Sequence, residues 1–84
     1  MAHYYFDTED GEPLADDVGV ELKNLCAARS EAAHFMGDLI RDRGGELWAT
    51  GFLRVVVKDG WRRPLFAIEA RVEPGPTESF TLDA

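Results

Sequence analysis

Leu25-Cys26-Ala27-Ala28-Arg29-Ser30-Glu31-Ala32-Ala33-His34-Phe35-Met36-Gly37-Asp38-Leu39-Ile40-Arg41-Asp42-Arg43 is the stretch on which the fold turns. Wound at about 100° per residue, it gathers Leu25, Ala28, Ala32, Phe35, Met36 and Leu39 into one stripe with Ile40 at its edge. Glu31, His34, Asp38 and Arg41 fall away from that stripe. Asn24 is placed to cap the first turn, since its side-chain oxygen accepts an orphan N–H, although Ala27 at the third helical position supplies no capping-box partner. Arg41 and Arg43 suit the negative end of the helix dipole, and Gly44-Gly45 can supply the left-handed residue that ends a helix. The spacing predicts a helix over 25–43, apolar on one side, which must bury that side against another element.

Both flanks read as strands. On the N-terminal side, His3 to Thr8 alternates, with Tyr4, Phe6 and Thr8 opposite His3, Tyr5 and Asp7, the period of two that marks a strand. The turn formers Glu9-Asp10-Gly11-Glu12-Pro13 follow, and Val18, Val20 and Leu22 then alternate with Gly19 and Glu21, which predicts a hairpin with a long acidic loop. On the C-terminal side, Phe52 to Lys58 is β-branched and meets Asp59-Gly60, a tight-turn signal. Leu65 to Val72 then alternates, with Phe66, Ile68, Ala70 and Val72 on one side. Pro64 cannot donate to a ladder and belongs at a strand start or on an edge. The order is ββαββ. With a right-handed crossover, the expected architecture is α+β: a four-stranded antiparallel sheet in order 2-1-3-4 with one helix on one face and the aromatic first strand central. Residues 1–73 would form a single domain and 74–84 a C-terminal tail in which Phe80 and Leu82 could dock on a partner. The face away from the helix would expose Tyr5, Leu65 and Ala67 among polar neighbours, an invitation to dimerise or to take a partner.

With 84 residues, 45% of them hydrophobic, the chain is too apolar for a disordered acidic segment and long enough for one core. The net charge of −7 resides entirely in residues 1–21, where Asp7, Glu9, Asp10, Glu12, Asp16, Asp17 and Glu21 stand with no Lys or Arg. A field of that sign repels phosphates, so direct nucleic-acid binding is disfavoured. Cys26 is the single cysteine. It can form no internal disulfide and no Cys-based zinc site, which suits a reducing compartment. No stretch has the roughly 18 apolar residues of a membrane span, and the N-terminus lacks a basic leader, so the expected location is cytoplasmic.

Tyr4-Tyr5-Phe6-Asp7, Asp10-Gly11, Asp16-Asp17-x-Gly19-x-Glu21-Leu22, Ala27-Ala28-Arg29-x-Glu31-Ala32 and the hairpin from Val55-x-Val57-x-Asp59 to Leu65-Phe66 occur together. In that combination the chain resembles a family of short proteobacterial proteins of unknown function, over about residues 3–72. It departs from the family in having Asn24 where an Asp often caps the helix, and in a longer approach from Trp48 to Gly51. The resemblance implies the same fold and carries no active site with it.

The candidate contacts are surface features. The acidic hairpin offers Asp7, Glu9, Asp10, Glu12, Asp16 and Asp17 to a hard cation or a basic partner. Its Asp7-Thr8-Glu9-Asp10-Gly11 run brings glycine one residue too early for an EF-hand, so a solvated loop is the simpler expectation. His3 and His34 have no acid or thiol at triad spacing, and Cys26 on the stripe's flank reads as a half-buried small hydrophobe. Trp61-Arg62-Arg63 joins a stacking ring to two guanidiniums, apt for an acidic peptide or phosphate, and Tyr5 lies on the open face. Trp48 is expected to cap the core. These observations point to a non-enzymatic protein-interaction module that self-associates as a homodimer, with no cofactor and no metal. The alternatives are a small metal- or thiol-dependent enzyme, or a nucleic-acid-associated regulator working through Arg62 and Arg63.

Overall fold

The computed structural model describes residues 1–76. Within them the chain is α+β, with an antiparallel sheet of five strands and two helices. β1 (Ala2–Glu9) is central, as its aromatic content demands. One side of it pairs with β4 (Phe52–Lys58), Phe6 lying opposite Val57, and β4 pairs in turn with β5 (Pro64–Arg71). The other side of β1 is covered in two pieces. β2 (Pro13–Leu14) lies against Thr8 and Glu9, whereas β3 (Val20–Leu22) lies against Ala2 to Tyr4.

The expected second strand, Val18 to Leu22, is present as the shorter β3, a further strand, β2, forms within the expected acidic loop, and the four-stranded order 2-1-3-4 becomes five strands with a broken edge. The break has a physical cause. Between the two pieces the Phe6 N–H would point at nothing, and Asp16 fills the gap: its Oδ2 accepts from Phe6 N–H at 3.1 Å, and its Oδ1 accepts from Val18 and Gly19 N–H at 3.0 and 2.9 Å. A side chain here does the work of a strand.

α1 (Leu25–Asp42) starts where the sequence places it, with Asn24 Oδ1 accepting from Ala27 N–H at 2.9 Å. It lies across the sheet on Ala28, Ala32 and Met36, which are buried with Tyr4, Phe6, Leu53, Val55 and Val57. The two alanines let the helix axis approach the sheet closely. Phe35 and Leu39 pack on the margin of this core, and Leu25 and Ile40 are exposed.

The expected end of the helix differs. Gly44-Gly45 does not terminate α1 but opens α2 (Gly44–Thr50), and the left-handed glycine is Gly51, at φ 91°. Leu47 from α2 enters the core, while Trp48, expected to cap it, is 46% exposed. The second hairpin also departs from the sequence reading. Gly60 has no positive φ; the turn runs over Gly60, Trp61 and Arg62, and Arg62 takes the left-handed position at φ 62°. Such three-residue turns carry an αL residue at their last position. Asp59 organises it, its carboxylate accepting from the backbone N–H of Trp61 and Arg63, both at 2.9 Å, and from Arg63 Nε at 2.8 Å.

The expected tail begins at Pro74, and Phe80 and Leu82 lie outside the described residues. Among those residues no helix is long and apolar enough to cross a membrane.

Candidate functional site

The broken edge leaves a cleft of about 430 Å³ between the β2–β3 segment and α1, within the size range of ligand pockets. Its floor is apolar. Phe6 and Phe35 meet edge to face at 6.4 Å and 89°, a favourable aromatic arrangement. Leu14, 63% exposed, and Val20 close the sheet side. On the helix side Glu31 and Asp38 flank Phe35, four residues before it and three after, so all three share one face of α1. Asp38 also meets Arg41 at 3.0 Å on the outer surface. The chemistry is therefore an aromatic and aliphatic trough with carboxylates along one wall.

Asp16 forms the third wall and is already committed. Beyond its three acceptor bonds, its own N–H donates to Asp7 Oδ1 at 2.9 Å, and its carbonyl accepts from Arg62 at 3.2 Å. Burial pushes the Asp16 carboxyl up, but the N–H donors of Gly19, Phe6 and Val18 with the Arg62 charge outweigh it and hold the group below its ordinary value. Asp7 behaves alike: desolvation raises it, while the Asp16 N–H and Lys58, 2.7 Å away, bring it down. Asp7 is accordingly buried on the face where alternation would leave it open to water.

The other candidate contacts are divided between inward and outward roles. Asp10 is bound by Arg43, which also reaches Glu46, so the acidic loop is tied to the α1–α2 junction. Glu9 pairs with Arg54 at 3.6 Å. Glu12 and Asp17 face solvent. Of the Trp61-Arg62-Arg63 tip, Trp61 is 80% exposed with Arg63 above its ring at 5.1 Å, whereas Arg62 turns inward over the Tyr5 ring at 3.9 Å. The two guanidiniums are thus engaged with carboxylate, carbonyl and rings of their own chain.

Tyr5 is half-buried beneath Arg62 and touches His3 edge-on at 4.9 Å. The open face is consequently less apolar than expected. Its middle is a ladder of charge running from Glu9 through Arg54 and Glu69 to Arg71 across three strands. Leu65 and Ala67 remain exposed on it.

The imidazoles and the thiol are dispersed. His3 bridges to Glu21 Oε1 through Nδ1 at 2.7 Å and to the Val18 carbonyl through Nε2 at 2.9 Å, and the Glu21 bond, then the Val18 bond, raise its pKa. His34 is exposed on α1. Cys26 is exposed in the first helical turn rather than half-buried on the stripe's flank. Among the described residues no group of three or more His, Cys, Asp or Glu is arranged to hold a metal ion.

The helical period puts Phe35 in the apolar stripe and Glu31 and Asp38 off it, but gives neither them nor Leu14 a contact role. Two signals for them exist: the spacing of Glu31, Phe35 and Asp38, and one aliphatic residue, Leu14, isolated within an acidic loop.

Comparison with known proteins matches residues 3–71 to a family described as Domain of unknown function (DUF6894). No curated protein and no solved structure matches the chain. The family span runs from the first residues of β1 to the last of β5, taking in the broken edge and both helices, and the chain belongs to this DUF6894 family.

Proposed function

We propose that this protein is a non-enzymatic interaction module that self-associates and receives a basic, partly apolar segment of a protein partner in the cleft between α1 and the broken sheet edge. The observation that carries the reading is the placing of Glu31 and Asp38 on either side of Phe35, above an apolar floor. A Lys or Arg side chain can lay its aliphatic stem on such a floor and keep its charge at the carboxylate wall. The excess negative charge of residues 1–21 would attract such a segment and set its rate of approach.

The test is a titration with two short labelled peptides, one alternating lysine with leucine and phenylalanine, the other with glutamate in place of lysine. Binding of the first only, weakening as salt rises, with backbone NMR shifts at Leu14 and Phe35, is the expected result. Glu31→Lys, on the exposed wall, should abolish the preference without altering the fold. Equal binding of both peptides, or shifts confined to other surfaces, would refute the assignment.

A further inference from the structure

The opposite edge of the sheet carries a second surface. Val72 N–H donates to the Gly51 carbonyl at 3.0 Å, so Gly51 and Val72 form a hydrogen-bonded pair at the end of the β4–β5 ladder. Alternation along an antiparallel ladder then turns the backbone groups of Phe66, Ile68 and Ala70 toward β4, and those of Ala67, Glu69 and Arg71 away from it. Among the described residues β5 pairs with β4 alone. Edges of this length are usually blocked. Here Pro64 and the register irregularity beside Lys58 disturb only the first residues, leaving the remainder regular.

We infer that this edge is where two copies of the chain join, β5 pairing antiparallel with β5 about a two-fold axis at Ala70. This rests on the reading of the protein as a self-associating module, and it names the surface and the register. Charge selects the register. Residues whose backbone groups point outward must oppose one another, which leaves a few possible centres. An axis at Glu69 opposes Glu69 to itself, and one at Arg71 opposes Arg71 to itself and Glu69 to Glu73. An axis at Ile68 sets Arg71 against Leu65 and Glu69 against Ala67. Only the axis at Ala70 places each Glu69 opposite an Arg71 of the other copy, twice over. On the helix side it sets Ile68 against Val72, both partly buried against the core, and Ala70 against itself, where a small side chain suits the close approach of a non-hydrogen-bonded pair. Opposite charges directly across a strand pair are favourable and like charges unfavourable.

The experiment is sedimentation of the full chain at about 10 µM and about 500 µM, a span that brackets weak association, with Glu69→Arg, Arg71→Glu and the double exchange. Each single variant is expected to weaken dimerisation about tenfold, because two attractive pairs become repulsive, and the double exchange is expected to restore it. Far-UV circular dichroism checks the fold of each variant. In a Cys26→Ser background, Ala70→Cys is expected to form an intermolecular disulfide on mild oxidation, since a non-hydrogen-bonded pair brings the two Cα atoms within bridging range. A dimer indifferent to the charge exchange, with no cross-link at position 70, would overturn the edge assignment and leave self-association standing. A monomer at every concentration would overturn both.

Discussion

At the scale of single residues, Asp16 and His3 hold the broken edge from either end. Asp16 is the acceptor for three backbone N–H groups, Phe6 among them. Asp16→Ala would leave the partly buried Phe6 donor unmatched, and such a loss costs about 1–3 kcal/mol. The neighbouring Asp17 is exposed, and its replacement by alanine should stay within about 0.5 kcal/mol. Urea midpoints of the two variants check the contrast, and equal midpoints would contradict the role given to Asp16. His3 shows both ring nitrogens to acceptors, a carboxylate at 2.7 Å and a carbonyl at 2.9 Å. Only the imidazolium donates from both nitrogens, in agreement with a pKa raised above 6.5. A raised folded-state value contributes stability that is complete below the unfolded pKa and fades as pH climbs through the folded one. NMR titration of His3 should therefore give a midpoint above the ordinary imidazole value of about 6.5. His3→Gln should lose the stability advantage of acidic over alkaline conditions that the native side chain confers.

Between residues and elements stand the glycines, where backbone conformation decides the sign of a substitution. Gly37 lies inside α1 with nothing within 4 Å of an added Cβ, so Gly37→Ala should stabilise by about 0.5–1 kcal/mol. Gly51 is equally unobstructed but sits at φ 91°, and Gly51→Ala should cost about 1–2 kcal/mol from conformation alone. Thermal melts of the two variants should move in opposite directions; movement in the same direction would show that the ends of α2 are not held as described. These positions also show what the sequence could disclose. The helix start at Asn24, the buried Ala28–Ala32–Met36 seam, the central aromatic strand and the hairpin positions were legible because each rests on a local periodicity or a cap. The split of the first hairpin was not, because it depends on a carboxylate standing in for a strand backbone, which no period records. The role of Gly44-Gly45 was hidden for a related reason: two glycines announce a helix end, and only Leu47 finding space in the core makes a second helix begin there. The cleft was the least legible feature. It is a property of the gap, and a helical period that turns Glu31 and Asp38 away from the apolar stripe records no gap for them to line.

For the molecule as a whole, two electrostatic effects pull stability in opposite directions as pH falls. The net charge of −7 resists compaction, so protonating carboxylates relieves repulsion. Against this, Asp7, Asp16 and Asp59 are each held below their ordinary value by N–H donors and cations that outweigh the desolvation acting on them. Depressed carboxyls contribute stability that is present above the unfolded pKa, near 3.9, and lost as pH drops through the folded value. The second effect should win, because repulsion is spread over screened surface charges whereas Asp7 and Asp16 are partly buried and have specific donors. With His3 contributing on the acidic side of neutrality, stability should peak between about pH 4.5 and about pH 6.5 and fall below about pH 4. Urea midpoints measured from about pH 3 to about pH 8 test this, and raising salt should leave the acid limb in place, because partly buried pairs are screened little. Asp16→Asn should flatten that limb: the amide oxygen cannot be protonated in this range, and the amide nitrogen cannot accept from Phe6 or from Val18 and Gly19. A native chain that grew steadily more stable down to about pH 3 would mean that repulsion, not the carboxylate network of the broken edge, governs the fold.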